Sequence, residues 1–363
     1  MNSRPSFALR SGPVRLAAVS LFSLSLTASL MACGGGGGGG AGGASGACAA
    51  GGSSGQVSPG PLQGACGLGT RIGQFSLSLL AASGTTPAYT QFSGAVYDRV
   101  DPSTVWLTKM TVGSCSVLTG PTYTCATKCT SPQICVAQDT CGPSRTVQDA
   151  GAIMLRGLGC PRTESPAGAS GYFDGLTGLP YPPATPGAAV SITAAGATAA
   201  FTLSGQGVEP LQFDGSALTL VSGQDLAVSW TPPNVAGGAQ TIKITIDAAH
   251  HGGTSARLEC VGLPDTGAAT IDGGLIAFLI SQGVAGFPTI DVTRQTADST
   301  TLATGCVDFT VASTVSSPIT VCQSAGACVK SCNCGYAGAP CLGQAGDVAC
   351  AAGTTCQSDL TCQ

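Results

Sequence analysis

Alternation of apolar and polar side chains marks many short stretches of the chain as strands that bury one face. In GQFSLSLLA, Phe75, Leu77 and Leu79 alternate with Ser76 and Ser78. Ile242, Ile244 and Ile246 do the same in QTIKITIDA, and Leu226, Val228 and Trp230 in DLAVSWTPP. QFSGAVYDRV, STVWLTKMTV and AIMLRGL add strands to the first half of the chain. AVSITAAG, AAFTLSG, SALTLVSG, ARLECVG, TIDVTRQ and GCVDFTVAS add them to the second. Gly, Pro and Asp interrupt the runs at the spacing of a β-sandwich. DGGLIAFLISQG differs: its apolar density is helical, and Asp272 stands where an N-cap belongs. The pattern predicts an all-β chain with one short helix.

The strands fall into blocks. Residues 66–160 read as a small β-domain carrying a dense run of cysteines. Residues 161–188, with PRTESPAGAS and LPYPPATPG, hold too much Pro for a helix or a central strand. They read as a linker or strap packed through Tyr172, Phe173 and Tyr181. Residues 189–317 read as the β-sandwich domain, and 318–363 as a cysteine-rich module. Residues 33–65 are Gly, Ala and Ser with little else. Such a segment has no apolar surface with which to offset the entropy of ordering. It reads as a flexible tether with a typical span of roughly 30 Å.

Composition sharpens this picture. Charged residues make up 9% of the chain, and 14 Lys and Arg face 18 Asp and Glu. No run of basic residues occurs, which argues against a nucleic-acid surface. The 19 cysteines mean disulfides in an oxidising compartment and metal or catalytic thiols in a reducing one. The N-terminus chooses between them. Arg4, Arg10 and Arg15 precede the apolar run LAAVSLFSLSLTASL, an n-region and h-region of signal-peptide length. That run is short of the roughly 20 residues needed to span a bilayer.

The run ends in Leu30-Met31-Ala32-Cys33, followed by Gly34. This resembles the lipobox of bacterial lipoproteins. The resemblance implies cleavage after residue 32 and acyl chains on Cys33 as the only covalent addition, with no other cofactor. It also implies anchoring in the outer membrane rather than the inner, on the periplasmic or the cell-surface side. Removing residues 1–32 takes three of the 14 basic residues and leaves an acidic exported part. The second block of strands resembles immunoglobulin-like modules of exported bacterial proteins, a likeness of pattern that implies a fold and no activity.

Setting Cys33 aside leaves eighteen cysteines, an even number that suits disulfides throughout. Cys260 and Cys306, on strands of the sandwich, are expected to bond with each other. Eight belong to the first domain: Cys48, Cys66, Cys115, Cys125, Cys129, Cys135, Cys141 and Cys160. Eight belong to the tail: Cys322, Cys328, Cys332, Cys334, Cys341, Cys350, Cys356 and Cys362. Cys129–Cys141 and Cys350–Cys362 share the spacing C-x5-C-x5-C, which reads either as one stapled loop used twice or as convergence of turn-rich segments. Eight cysteines allow 105 connectivities, so partners within each group stay open.

Catalytic signals are weak. Leu263-Pro264-Asp265-Thr266-Gly267 resembles a sortase signal but lacks the apolar and basic residues that must follow. It also resembles an aspartic-protease loop but lacks a second carboxylate to share the proton. A turn between strands accounts for it. His250 and His251 are the only histidines, adjacent on a loop and a poor chelating pair, so no metal site is expected. Together these features point to a lipid-anchored lipoprotein with a binding, adhesion or envelope-structural role, its partner a polysaccharide or protein of the surface or envelope. The alternatives are an exported hydrolase using Asp265 and His250, and an inhibitor or ligand module in the tail.

Overall fold

The computed structural model describes residues 60–329, apart from 103–104, 122, 160, 167–170, 175–178, 197–199, 235–237, 249–255 and 285–287. The first part of the chain forms β1 (Arg71–Leu80), β2 (Tyr89–Tyr97), β3 (Leu107–Val112), β4 (Cys115–Thr119), β5 (Gln133–Ala137), β6 (Thr140–Pro143), β7 (Val147–Gln148) and β8 (Ile153–Arg156). Two short strands, β9 (Arg162–Glu164) and β10 (Tyr172–Asp174), occupy the Pro-rich stretch expected to be a linker. Next come β11 (Ala189–Ala194), β12 (Phe201–Gln206), β13 (Thr219–Val221), β14 (Leu226–Ser229), β15 (Thr241–Asp247), β16 (Ala256–Pro264) and β17 (Ala268–Ile271). Helix α1 (Gly273–Ser281) precedes β18 (Thr289–Leu302), β19 (Gly305–Pro318), β20 (Thr320–Ser324) and β21 (Ala327–Val329). The all-β class is observed, and the one helix among the described residues starts as expected: the Asp272 carboxylate accepts the N–H groups of Gly274 and Leu275.

The blocks do not fold separately. One ten-stranded sheet runs β10-β2-β1-β19-β18-β15-β16-β4-β3, with β7 beside β2. It therefore mixes strands expected in the first domain with strands expected in the sandwich. β1 is its joint: it pairs antiparallel with β2 and parallel with β19, Phe75 opposite Phe309 and Leu77 opposite Val311. A second sheet, β12-β11-β8-β9, also draws on both blocks. The described residues belong to a single compact unit.

One face of the large sheet covers two hydrophobic cores. In one, Phe75, Leu77, Phe92, Phe309 and Val311 meet Ile153, Leu155, Val190, Ile192 and Leu203 of the second sheet. Tyr172 is buried here with its ring 5.7 Å from that of Phe75, and its hydroxyl donates to the Gly151 carbonyl at 2.7 Å. The packing assigned to this tyrosine is thus met inside the core, whereas Phe173 is exposed. In the other core, Ile242, Ile244, Ile246, Leu258, Ile290 and Val292 pack on Leu275, Ile276, Leu279 and Ile280 of α1 and on Leu226, Val228 and Trp230.

Between the cores, β18 turns polar on its buried face: Arg294, Thr296 and Asp298 follow Ile290 and Val292 in the same alternation. These side chains grip the backbone of residues 204–231. Asp298 accepts from Ser204 N at 2.8 Å, and the Thr296 hydroxyl both accepts from Gln206 N at 3.0 Å and donates to its carbonyl at 2.9 Å. Arg294 donates to the carbonyls of Glu209 and Thr231 and pairs with Asp265, whose other oxygen takes the Trp230 indole N–H at 2.8 Å.

The expected Cys260–Cys306 bond is not formed; Cys260 bonds Cys115, and Cys306 bonds Cys66. Strands β16 and β19 are separated by β15 and β18, three spacings or about 14 Å, whereas a disulfide needs Cα atoms within about 7 Å. Cys260 stands directly opposite Cys115, and Cys306 lies opposite Arg71 at the start of β1. Both bonds join cysteines assigned to different blocks. Cys125–Cys135 and Cys129–Cys141 staple the β5–β6 hairpin, and Cys322–Cys328 the β20–β21 hairpin. Cys33, Cys48, Cys160, Cys332, Cys334, Cys341, Cys350, Cys356 and Cys362 lie outside the described residues, as does the second C-x5-C-x5-C segment.

Removing the carboxylate in Asp265→Ala strands the Arg294 guanidinium and is expected to cost about 3–5 kcal/mol. Asp272→Ala, which removes only a helix cap, should cost about 1 kcal/mol. Urea denaturation measures both; a loss at Asp265 no larger than that at Asp272 would contradict the role given to Arg294.

Candidate functional site: a basic cleft on the outer face of the sheet

The strands that fill the cores with alternate residues present the others on the opposite face. There β1 offers Gln74, β19 offers Asp308 and Thr310, β18 offers Gln295, β15 offers Lys243, and β16 offers Glu259. Two hollows open on this face, with volumes of about 340 Å³ and 580 Å³. They share Leu68, Arg71, Gln74 and Arg257. Arg71 and Arg257 sit on strands four places apart yet line the same hollow, so the sheet curls around it. Both volumes are in the range usual for ligand sites.

Residues 63–70, the end of the expected tether and the start of the first block, close one side. Gln63 N donates to Asp298 at 2.9 Å, Gly64 N to the Ala297 carbonyl at 3.2 Å, and Cys306 N to the Thr70 carbonyl at 2.8 Å. The Asp308 carboxylate is completely enclosed beneath this segment. One oxygen accepts from Cys66 N at 3.1 Å and pairs with Arg71 at 2.9 Å, while Oδ1 has no partner. Burial pushes the Asp308 carboxyl above its ordinary value, against the opposing pull of Arg71.

Across the cleft, Arg257 and Lys243 both reach Glu259, at 2.8 Å and 3.3 Å. The Arg257 guanidinium also lies over the Trp106 ring at 4.0 Å, and Arg145 over Tyr97 at 3.9 Å. Burial pulls Arg257 below its ordinary value, with Glu259 and Asp247 resisting. The Nε atoms of Arg71 and Arg257 are enclosed without an acceptor. Arg145 is positioned through its neighbour: Asp98 accepts Thr146 N at 2.9 Å, and Arg99 with that N–H holds its carboxyl down at about 2.

Sequence reasoning proposed none of these cleft residues as a site. Their cations lie far apart in the chain, so no local run of charge announces them. The residues it did single out fall elsewhere. Asp265 is buried and committed to Arg294 and Trp230, and His250 and His251 lie outside the described residues. The Sγ atoms of Cys125, Cys129 and Cys141 lie within 4.8 Å of one another. They belong to two disulfides, which have no thiolate to offer a metal. Among the described residues no helix is long and apolar enough to cross a membrane. Comparison with known protein families and with curated proteins finds no match to this chain.

Because the folded pKa of Asp308 is raised, its contribution to stability is fully present below the ordinary value of 3.8 and is lost as pH rises through the raised value. The stability of the wild type relative to Asp308→Asn should therefore decline as pH rises from below 3.8. Urea midpoints of both proteins across that range test this; a difference that is flat or rises with pH would contradict it.

Proposed function

We propose that the chain is a lipid-anchored bacterial lipoprotein that binds a surface or envelope ligand in its outer-face cleft and performs no catalysis. The lipobox-like Leu30-Met31-Ala32-Cys33 supports export and anchoring at the outer membrane. Five described disulfides suit an oxidising compartment.

The observation that carries the binding role is the cleft's charge arrangement. Its two carboxylates are already spent on cations: Glu259 on Lys243 and Arg257, Asp308 on Arg71. Asp308, although raised in pKa, is sealed from any substrate, so it is out of reach as a general acid. The Ser116 hydroxyl is bonded to that of Thr111 at 2.8 Å rather than to a base. Arranged in this way, the groups hold a ligand rather than transform one.

Cys33→Ser should abolish incorporation of labelled palmitate and move the protein from the membrane to the soluble fraction. Unchanged membrane fractionation would sink the anchoring half of the reading. For the binding half, envelope extract should shield Arg257 in the intact protein from phenylglyoxal, as read by peptide mass. Equal modification with and without extract would refute it.

A further inference from the structure

The following rests on the binding reading above and narrows the ligand. Four of the chain's 14 Lys and Arg converge on the cleft: Arg71, Arg145, Lys243 and Arg257. Three carboxylates are paired with these four cations: Glu259 with Lys243 and Arg257, the enclosed Asp308 with Arg71, and Asp101, at 3.8 Å, with Arg145. In a chain of formal charge −4, the cleft thus gathers more cations than the carboxylates ion-paired with them. The Arg71 and Arg257 side chains remain 28% and 25% exposed, and a guanidinium fork takes a carboxylate in two parallel hydrogen bonds. The remaining polar lining is hydroxyl and amide, from Gln74, Gln295, Thr108 and Ser114. That set complements a ligand rich in hydroxyl groups. Trp106 and Tyr97 lie under the Arg257 and Arg145 guanidiniums and hold these cations in place at the cleft.

We propose that the cleft binds a carboxylate-bearing saccharide of the uronic-acid type. Arg71 and Arg257 take the carboxylate, and the amide and hydroxyl side chains take the ring hydroxyls. An acidic peptide is the weaker fit. Sheets capture peptides by extending a free strand edge, whereas this cleft lies on a face whose strands are already paired on both sides from β1 to β4.

The test titrates the intact oxidised protein, in detergent, with trigalacturonate, maltotriose and triglutamate, by calorimetry. Trigalacturonate should bind, more weakly as salt rises, and the other two should not. Arg257→Gln should weaken binding at least tenfold. Arg145→Gln, at a more exposed position, should weaken it severalfold and serves if the first variant does not fold. Equal binding of maltotriose overturns the role of the carboxylate, and tighter binding of triglutamate overturns the saccharide. Trigalacturonate binding that neither variant alters overturns the site. If envelope extract shields Arg257 but trigalacturonate does not bind, the ligand class is wrong and the binding role stands; if neither engages the cleft, both fall.

Discussion

The architecture depends on the parallel pairing of β1 with β19. Without it the large sheet would lose β2, β7 and β10, and the core built on Phe75 and Phe309 would lose one wall. Two further contacts fix the joint at its start. Cys66–Cys306 spans 240 residues; on a loop-entropy account, closing a loop of that size contributes about 5 kcal/mol. Beside it, Asp308 receives Arg71 and the Cys66 N–H in an enclosed position, a pair costly to break because the carboxylate alone would be left as a buried charge. A parallel neighbour needs a long crossover, and here nearly the whole described chain serves as that crossover. Two sets of strands that look separable in sequence are thereby made into one body.

The buried polar face of β18 is the second constraint. A sheet covering two cores leaves a seam where neither core reaches, and the chain crossing that seam, residues 204–231, needs partners for its backbone groups away from water. Arg294, Thr296 and Asp298 supply them, and Asp265 holds Arg294 and the Trp230 indole N–H. An apolar seam of equal volume could be as stable, but it would not fix where the crossing chain lies, because each bond here names one backbone atom. The polar row therefore sets register between layers, as the ladder sets register within them.

Features carried by local pattern were legible in the sequence. The Ile242, Ile244 and Ile246 alternation gives β15 directly, and the Asp272 cap gives the start of α1. Features that depend on distant pairing were not. The rule that apolar residues face inward reads Ile290 and Val292 correctly but assigns no inner role to Arg294, Thr296 and Asp298, which continue the same face. Cys260 and Cys306 both sit on strands, so an intrasandwich bond seemed natural; only the strand order puts three spacings between them. The cleft was invisible for the same reason. Arg71, Arg145, Lys243 and Arg257 are scattered through the chain, and the curl of the sheet is what gathers them.

The position of the cleft would tie the proposed binding to redox state. Cys66 lines the cleft, and its partner Cys306 lies two residues from Asp308. Cys115 is flanked by Ser114 and Ser116, and Cys260 by Glu259 and Val261; all four flanking residues line the cleft. Both inter-block disulfides thus hold opposite walls of the same hollow. A site built on rigid strands and locked by such bonds loses little entropy when it orders a polar, flexible ligand. Reduction would free the segment over Asp308 and the β4–β16 wall together. Preorganised recognition of the proposed ligand would then be available only where the cysteines stay oxidised, as in the compartment proposed from the signal-like N-terminus.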